Sequence, residues 1–137
     1  MSEHKSVAIE NVLEALERAP LLRSGWVVDD RFEHVVMRVL SRDDIKSVWA
    51  DLESIFSKGF EEESLPGASK DVRHLASIMG GLRDDQFLFI REEDDGLLAF
   101  AAIWPWQNAP QVSVRLGFSG VEELDPSLFE GLLEPRD

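Results

Sequence analysis

The sequence predicts an α+β domain in which helices pack on an antiparallel or mixed sheet of four to five strands. Three segments before residue 80 repeat apolar residues at the spacing of one helical face. Three later segments are continuously apolar or alternate apolar with polar residues, and turn residues separate them closely. Helices grouped against such a meander are typical of a two-layer domain, and the predicted element order is α-β-α-α-β-β-β-α.

The first predicted helix covers residues 6–19, and Pro20 ends it. We expect residues 1–5 to form a disordered tail before it. The apolar stripe of this helix consists of Ile9, Val12, Leu13 and Leu16. Residues 26–28 and 32–40 are rich in valine and aromatic side chains, so they are predicted to be strands.

The second predicted helix has the clearest start signal in the chain. Ser41 can cap it, and apolar residues at spacings of three and one continue along one face to Phe56. Gly59 is predicted to follow the helix as its left-handed terminating residue. After a polar loop, a third helix is predicted over residues 69–79, where Gly80 ends it.

The last third of the chain predicts an antiparallel meander. Residues 87–90 and 97–104 are apolar throughout, as expected of strands covered on both faces, and the Asp95-Gly96 pair predicts the hairpin turn between them. Residues 111–118 alternate apolar and polar side chains, which predicts a half-exposed strand near an edge of the sheet.

A short final helix is predicted to open at Asp125-Pro126, because Asp caps helices and Pro suits the first helical position. The predicted core takes the apolar positions of the most periodic segments. These are Ile45, Val48, Trp49, Leu52, Phe56, Leu75, Phe87, Phe89, Leu98, Phe100, Ile103, Val112 and Val114.

Length and charge restrict the classes of protein to which this chain can belong. Its 137 residues fit one globular domain, residues 1–137. It has 14 Lys and Arg residues against 27 Asp and Glu, a formal net charge of −13. That sign argues against direct nucleic-acid binding and against membrane adhesion, since both need clustered cations. The polar N-terminus lacks the apolar segment of a signal peptide, so we expect a cytoplasmic location.

The residues that usually carry chemistry are absent or dispersed. Without cysteine, the chain has no disulfide, thiolate nucleophile or cysteine-containing zinc site. His4, His34 and His74 are far apart in sequence, and the four Asp-Asp pairs fall at element boundaries, where Asp caps helices and forms turns. No phosphate-binding glycine motif is present. We therefore expect no catalytic residue, cofactor or metal, and the sequence favours a binding protein over an enzyme.

Acidic residues and tryptophan supply the candidate binding site. Residues 1–60 hold 11 acids and 8 bases, whereas residues 61–137 hold 16 acids and 6 bases. One hairpin turn carries four consecutive acids, and an exposed Trp106 could act as an apolar anchor. The predicted partner-binding residues are Glu92, Glu93, Asp94, Asp95 and Trp106. A strand of eight residues spans roughly 26 Å, so these residues can share one patch only if the interface runs along the sheet.

A small acidic domain without a catalytic motif fits an inhibitor of a basic protein. Immunity proteins and antitoxins that neutralise nuclease toxins have this character, as do inhibitors that mimic DNA. Acidic secretion chaperones are similar in size and charge and stand as an alternative. The predicted partner is a basic protein, because a continuous acidic surface attracts one and raises its association rate. The sequence does not specify an oligomeric state.

A second alternative comes from a family resemblance over residues 35–118. Residues 36–40 followed by 41–44, and the two strands within 87–104, are similar in element order to the first half of the Gcn5-related N-acetyltransferases. That family carries the motif Q/R-x-x-G-x-G/A after its fourth strand, where backbone amides bind the pyrophosphate of acetyl-CoA. In residues 115–120 the glycines are out of register with that motif. The resemblance implies a degenerate or active acetyltransferase-like domain, and no catalytic residue is carried over.

Overall fold

A computed structural model describes residues 3–93, 96–121 and 124–133. Three helices and six strands follow one another along the chain. They are α1 (Glu3–Glu17), β1 (Val27–Val28), β2 (Val35–Ser41), α2 (Arg42–Phe56), β3 (Lys58–Phe60), α3 (Lys70–Ile78), β4 (Phe87–Glu92), β5 (Leu98–Pro105) and β6 (Gln111–Ser119). The predicted α+β class is confirmed.

The sheet has six strands in the order β1-β2-β6-β5-β4-β3, and every neighbouring pair is antiparallel. The predicted number of four to five strands was therefore too low. Edge strand β3, which has three residues, accounts for the difference, since β1 lies within the strand predicted over residues 26–28. Segments of that length are too short to show a period of two, and Lys58 and Gly59 in β3 are weak strand formers.

Helices cover both faces of the sheet. On one face, α1 and α2 enclose a large apolar cluster with the inward side chains of the sheet, among them Val36, Phe89 and Val114. On the other face, α3 packs on a smaller cluster that includes Leu88 and Phe100. Every residue predicted for the core lies in one of the two clusters, with Trp49 and Phe87 partly buried.

Helix α1 begins at Glu3, three residues before the predicted start. Residues 3–5 are therefore helical, where a disordered tail was expected. Lys5 in this first turn donates a hydrogen bond from Nζ to the carbonyl oxygen of Gly120, at 2.8 Å. The start of the helix is thereby tied to the segment that follows β6, a long-range contact that local periodicity does not reveal.

Helix α2 begins as predicted but ends differently. The Ser41 hydroxyl accepts a hydrogen bond from the Asp44 amide at 3.0 Å, as expected of the cap. Ser57, with φ of 59°, takes the left-handed position that was predicted for Gly59. Gly59 lies instead in β3, beneath the ring of Phe87. A Cβ at residue 59 would come within 2.4 Å of that ring, so this position requires glycine for close packing.

Strand β6 is central, between β2 and β5, where an edge position was predicted. The three polar or small positions of its second face are not solvated, because each meets a residue from elsewhere in the chain. The Ser113 hydroxyl accepts a hydrogen bond from Trp106, and Arg115 pairs with Asp29. Gly117 lies so close to His34 that a Cβ would be 2.6 Å from that residue's carbonyl oxygen.

The chain returns to the sheet edge after β6. Asp125 caps a 3-10 helix, Pro126–Phe129, in place of the predicted α-helix, and its side chain accepts a hydrogen bond from the Ser127 amide at 2.9 Å. Leu133 then forms a parallel bridge with Trp26, beside β1. Within the described ranges, no helix is long and apolar enough to cross a membrane.

Candidate partner-binding site

Trp106 follows β5, in the loop that joins it to β6. Its side chain is 41% exposed, although three hydrogen bonds hold the residue in place. The indole Nε1 donates to the Ser113 hydroxyl at 2.7 Å, the backbone amide donates to the Gln111 carbonyl at 2.9 Å, and the carbonyl accepts from the Arg42 guanidinium at 3.4 Å. A large ring is thus presented to solvent by a fixed loop, which is the character of an interface anchor.

The register of the sheet defines two ends. The end of β2 pairs with the start of β6, and the start of β6 pairs with the end of β5, which leads into Trp106. The start of β4 pairs with the second half of β5, and the end of β3 pairs with the start of β4. The end of β2, the end of β3 and the start of β4 therefore lie at the same end of the sheet as Trp106, which we call the Trp106 end. At the opposite end, Glu92 pairs with Leu98, and we call this the Glu92 end.

Seven carboxylates lie in the segments that border the Trp106 end. They follow β2, follow β3 or precede β4: Asp43, Asp44, Glu61, Glu62, Glu63, Asp84 and Asp85. All are exposed except Asp44, which is half-buried. None of them is in an ion pair with a described residue, since the ion pairs found there are Lys58–Glu92, Arg91–Glu93 and Arg115–Asp29. The cations in these segments are Arg42 and Arg83, so the Trp106 end carries an excess of negative charge.

Two carboxylates at the Glu92 end, those of Glu92 and Glu93, have cationic partners. Glu92 lies 3.6 Å from the ammonium of Lys58, and Glu93 accepts a hydrogen bond from Arg91 at 2.6 Å. Glu93 is only 20% exposed in its side chain. The other two predicted acids, Asp94 and Asp95, lie outside the described residues.

The predicted binding residues that the structure describes, Glu92, Glu93 and Trp106, are therefore not brought together at one end of the sheet. Glu92 and Trp106 are separated by the whole of β5, which is eight residues long and spans roughly 26 Å. The acids at the same end of the sheet as Trp106 include those at 61–63 and 84–85, which the sequence did not assign to the site. The three consecutive glutamates were a visible signal, but their place at that end depends on β3, which was not predicted.

One aspartate is buried, and its role is structural. Asp29 accepts hydrogen bonds from the Arg31 amide at 2.7 Å and from Arg115 Nε at 2.8 Å, and its side chain is 4% exposed. The Arg115 guanidinium also lies 4.4 Å from the ring centroid of Trp104, which in turn meets Phe32 edge to face. Through these contacts the loop between β1 and β2 is fastened across the second face of the sheet.

A cavity of about 350 Å³ lies between this loop and α3. Leu75 of α3 and Met79, which follows the helix, form one wall, and Val35 and Phe100 form the sheet side. The polar side chains at its edge are Arg31, Glu33, His34 and Ser119. Arg31 is held at this edge by the hydrogen bond that its backbone amide donates to Asp29.

Metal and acetyl-CoA sites find no support in the described part of the chain. No group of three or more His, Asp or Glu side chains within it could hold a metal ion. After β6, residues 120–121 and 124–133 contain the 3-10 helix Pro126–Phe129 and no α-helix. The pyrophosphate site that the acetyltransferase resemblance implies needs amides at the start of an α-helix, so nothing there supports that alternative.

Comparisons with protein-family models, with curated proteins and with solved structures give no match to this chain. What the protein does must therefore be inferred from the site itself.

Proposed function

We propose that this protein is an inhibitor of a basic protein, of the immunity or antitoxin kind, and that it binds this partner through the Trp106 end of the sheet. Lysine and arginine side chains of the partner would meet the seven carboxylates of that end, and Trp106 would be the apolar anchor at their side. The partner class follows from charge, since an excess of carboxylates attracts cationic surfaces and repels nucleic acid.

The observation that carries this proposal is that the acids at the Trp106 end have no cationic partner in the described structure. Asp43 and Asp44 also favour the first turn of α2, but the arrangement of the exposed residues 61–63 brings like charges together without an ion pair to a described residue. It produces a local negative field, which steers a basic partner into place and raises the association rate at low ionic strength. The acids at the Glu92 end, by contrast, have part of their charge neutralised by Lys58 and Arg91.

Trp106 supports the same surface for a different reason. Its three hydrogen bonds fix the loop before any partner arrives, so little side-chain entropy is lost on binding. Tryptophan is among the residues most often found at the energetic centre of interfaces. Residues 92–95 would join this surface only with a partner that extends along the full length of β5.

The proposal is tested by charge neutralisation at each end of the sheet. The partner is captured from native host cells, purified, and mixed with the inhibitor by stopped flow at low and high salt. One variant carries E61Q, E62Q, E63Q and D84N, and the matched control carries E92Q, E93Q, D94N and D95N. Both remove four negative charges, so a difference between them reports the position of the charge and not its sum.

We expect the first variant to associate at least about tenfold more slowly at low salt, with a flatter salt dependence, and the control to change by less than about twofold. Trp106→Ala should raise the dissociation rate with little effect on association. A captured nuclease should lose its activity when one equivalent of the protein is added. Equal association rates for the two charge variants, or a partner that is not basic, would refute the proposal.

A further inference from the structure

The face of the sheet on which α3 packs is only partly covered. Helix α3 and the segments around it cover β4 and β5, where Leu88, Ile90 and Phe100 are buried. The loop between β1 and β2 covers the start of β2, where Val35 is buried. The part formed by β1, the end of β2 and the start of β6 has no helix above it in the described chain, and this part lies toward the Trp106 end.

Four apolar side chains form a row across this uncovered part, and we call them the apolar row: Val27, Met37, Val39 and Trp106. The register explains the row, because Val27 pairs with Met37, and Val39 lies two residues further along the same side of β2. Val39 pairs with Ser113, whose hydroxyl holds the indole of Trp106. Val36 and Leu40, which alternate with Met37 and Val39, face the opposite cluster.

The apolar row is partly open to solvent along its whole length. Val27 is 41% exposed and Val39 is 38% exposed, similar to Trp106, and Met37 is half-buried. Single exposed apolar residues are common on protein surfaces, but a row that spans two strands and ends at a fixed tryptophan is a feature of binding surfaces.

We infer that the apolar row is the docking surface for an apolar-and-basic segment of a protein partner. Apolar side chains of the segment lie on Val27, Met37 and Val39, and its lysine or arginine side chains reach the carboxylates beside Trp106. This inference rests on the proposed function and specifies the chemistry of the partner at that site.

Charge decides between this occupant and a second copy of the chain. A twofold dimer through the row would join two copies that each have a formal net charge of −13 and unpaired carboxylates at the same end of the sheet. Such like-charge contact is costly, whereas a basic segment gains from the same carboxylates. An anionic membrane is disfavoured for the same reason.

The test uses three octapeptides as probes, titrated into the labelled protein and followed by NMR. The first alternates leucine and lysine, the second serine and lysine, and the third leucine and glutamate. We expect the first to shift the Val27 and Val39 methyl signals and the Trp106 indole N–H signal. The second should bind at least about tenfold more weakly, and the third should not bind measurably.

The matched variants are the double change Val27→Ser with Val39→Ser, and the control Val28→Ser. Val28 is 58% exposed and adjacent in β1, but it points to the other face of the strand. The double variant should bind the leucine-lysine peptide about tenfold more weakly and the serine-lysine peptide unchanged, whereas the control should bind both as the native protein does. Circular dichroism melts confirm that each variant is folded.

The outcomes separate this inference from the proposed function. If the double variant binds the leucine-lysine peptide normally, or if the peptide shifts Val28 and not Val27, the inference is wrong, while the charge experiment with the captured partner still decides the proposed function. If the same signals shift with protein concentration in the absence of peptide, a second copy occupies the row and the inference is overturned. If the peptide results are as expected but the two charge variants associate with the captured partner at equal rates, the proposed function is overturned.

Discussion

Toward the Glu92 end of the sheet, three carboxylates are paired with cations, whereas the seven carboxylates at the Trp106 end have no ion pair with a described residue. Asp29, which follows β1 at the Glu92 end, pairs with Arg115, and Glu92 and Glu93 pair with Lys58 and Arg91. The carboxylates of one small domain can therefore serve two purposes. The contrast teaches that the number of acids in a segment does not indicate their role, because the role depends on which acids have partners.

The largest effect is expected at the buried pair. Asp29→Ala removes the counterion of Arg115, whose side chain is only 11% exposed, and leaves that charge without compensation. We expect the free energy of unfolding to fall by about 3 kcal/mol, measured by urea denaturation. Asp30→Ala is the matched control, since Asp30 is adjacent and exposed, and it should change stability by less than about 0.5 kcal/mol. Similar losses of stability in the two variants would show that the Asp29–Arg115 pair has no special structural role.

A smaller loss is expected for the two surface pairs of the Glu92 end. The double change Glu92→Gln and Glu93→Gln removes one long ion pair and one hydrogen-bonded ion pair, both partly exposed to solvent. Exposed pairs contribute at most about 1 kcal/mol each, so we expect a combined loss of about 1 kcal/mol that shrinks in 1 M NaCl. A loss that salt does not reduce would argue against an ionic origin.

The opposite sign is expected at the Trp106 end. The triple change Glu61→Gln, Glu62→Gln and Glu63→Gln removes like charges that have no described partner. Stability should rise by up to about 0.5 kcal/mol at low salt, because repulsion among the acids is relieved. The measurement is a melting curve of the variant beside that of the native protein. A clear loss of stability would show that these acids contribute to the fold, and the contrast between the two ends would fail.

The smallest effect concerns Asp125, and it depends on pH. Hydrogen bonds from the backbone amide and then the hydroxyl of Ser127 lower the pKa of this carboxyl below its ordinary value. A lowered pKa in the folded state means that the stabilisation is present above the ordinary pKa of about 3.9 and is lost as the pH falls through the folded value. Asp125→Asn should therefore show a slightly flatter dependence of stability on pH between pH 5 and 2. An identical pH profile would contradict the capping role.

Local signals predicted the helices and the central strands because those elements show their own period. Helix α2 carries both a capping serine and a continuous apolar face, so its start was predicted to the residue. Strand β6 shows where a local period fails to predict the environment of a strand. Its alternation predicted a solvated face, but Ser113, Arg115 and Gly117 each meet a residue from another part of the chain. Asp29 is 86 positions from Arg115, and no local period encodes that distance.

The sequence predicted single residues of the candidate site but not which of them share one end of the sheet. Trp106 was identified because tryptophan beside proline at a strand end stands out in the sequence. The acids that border it were not, since three separate strand ends must be aligned before residues 61–63 and 84–85 come near residue 106. That alignment depends on β3, which contains Gly59 beneath Phe87 and has no strand signal of its own.

The short edge strands also determine how this protein can and cannot associate. β1 offers two residues, and the bridge between Trp26 and Leu133 lies beside it, while β3 offers three and carries the charge of Lys58. Long, flat, unpaired edges are the templates on which chains add strand to strand into aggregates, and both edges here are too short for that. We therefore expect the protein to remain dispersed at high concentration, and to recognise other chains through side chains and not by extending its sheet.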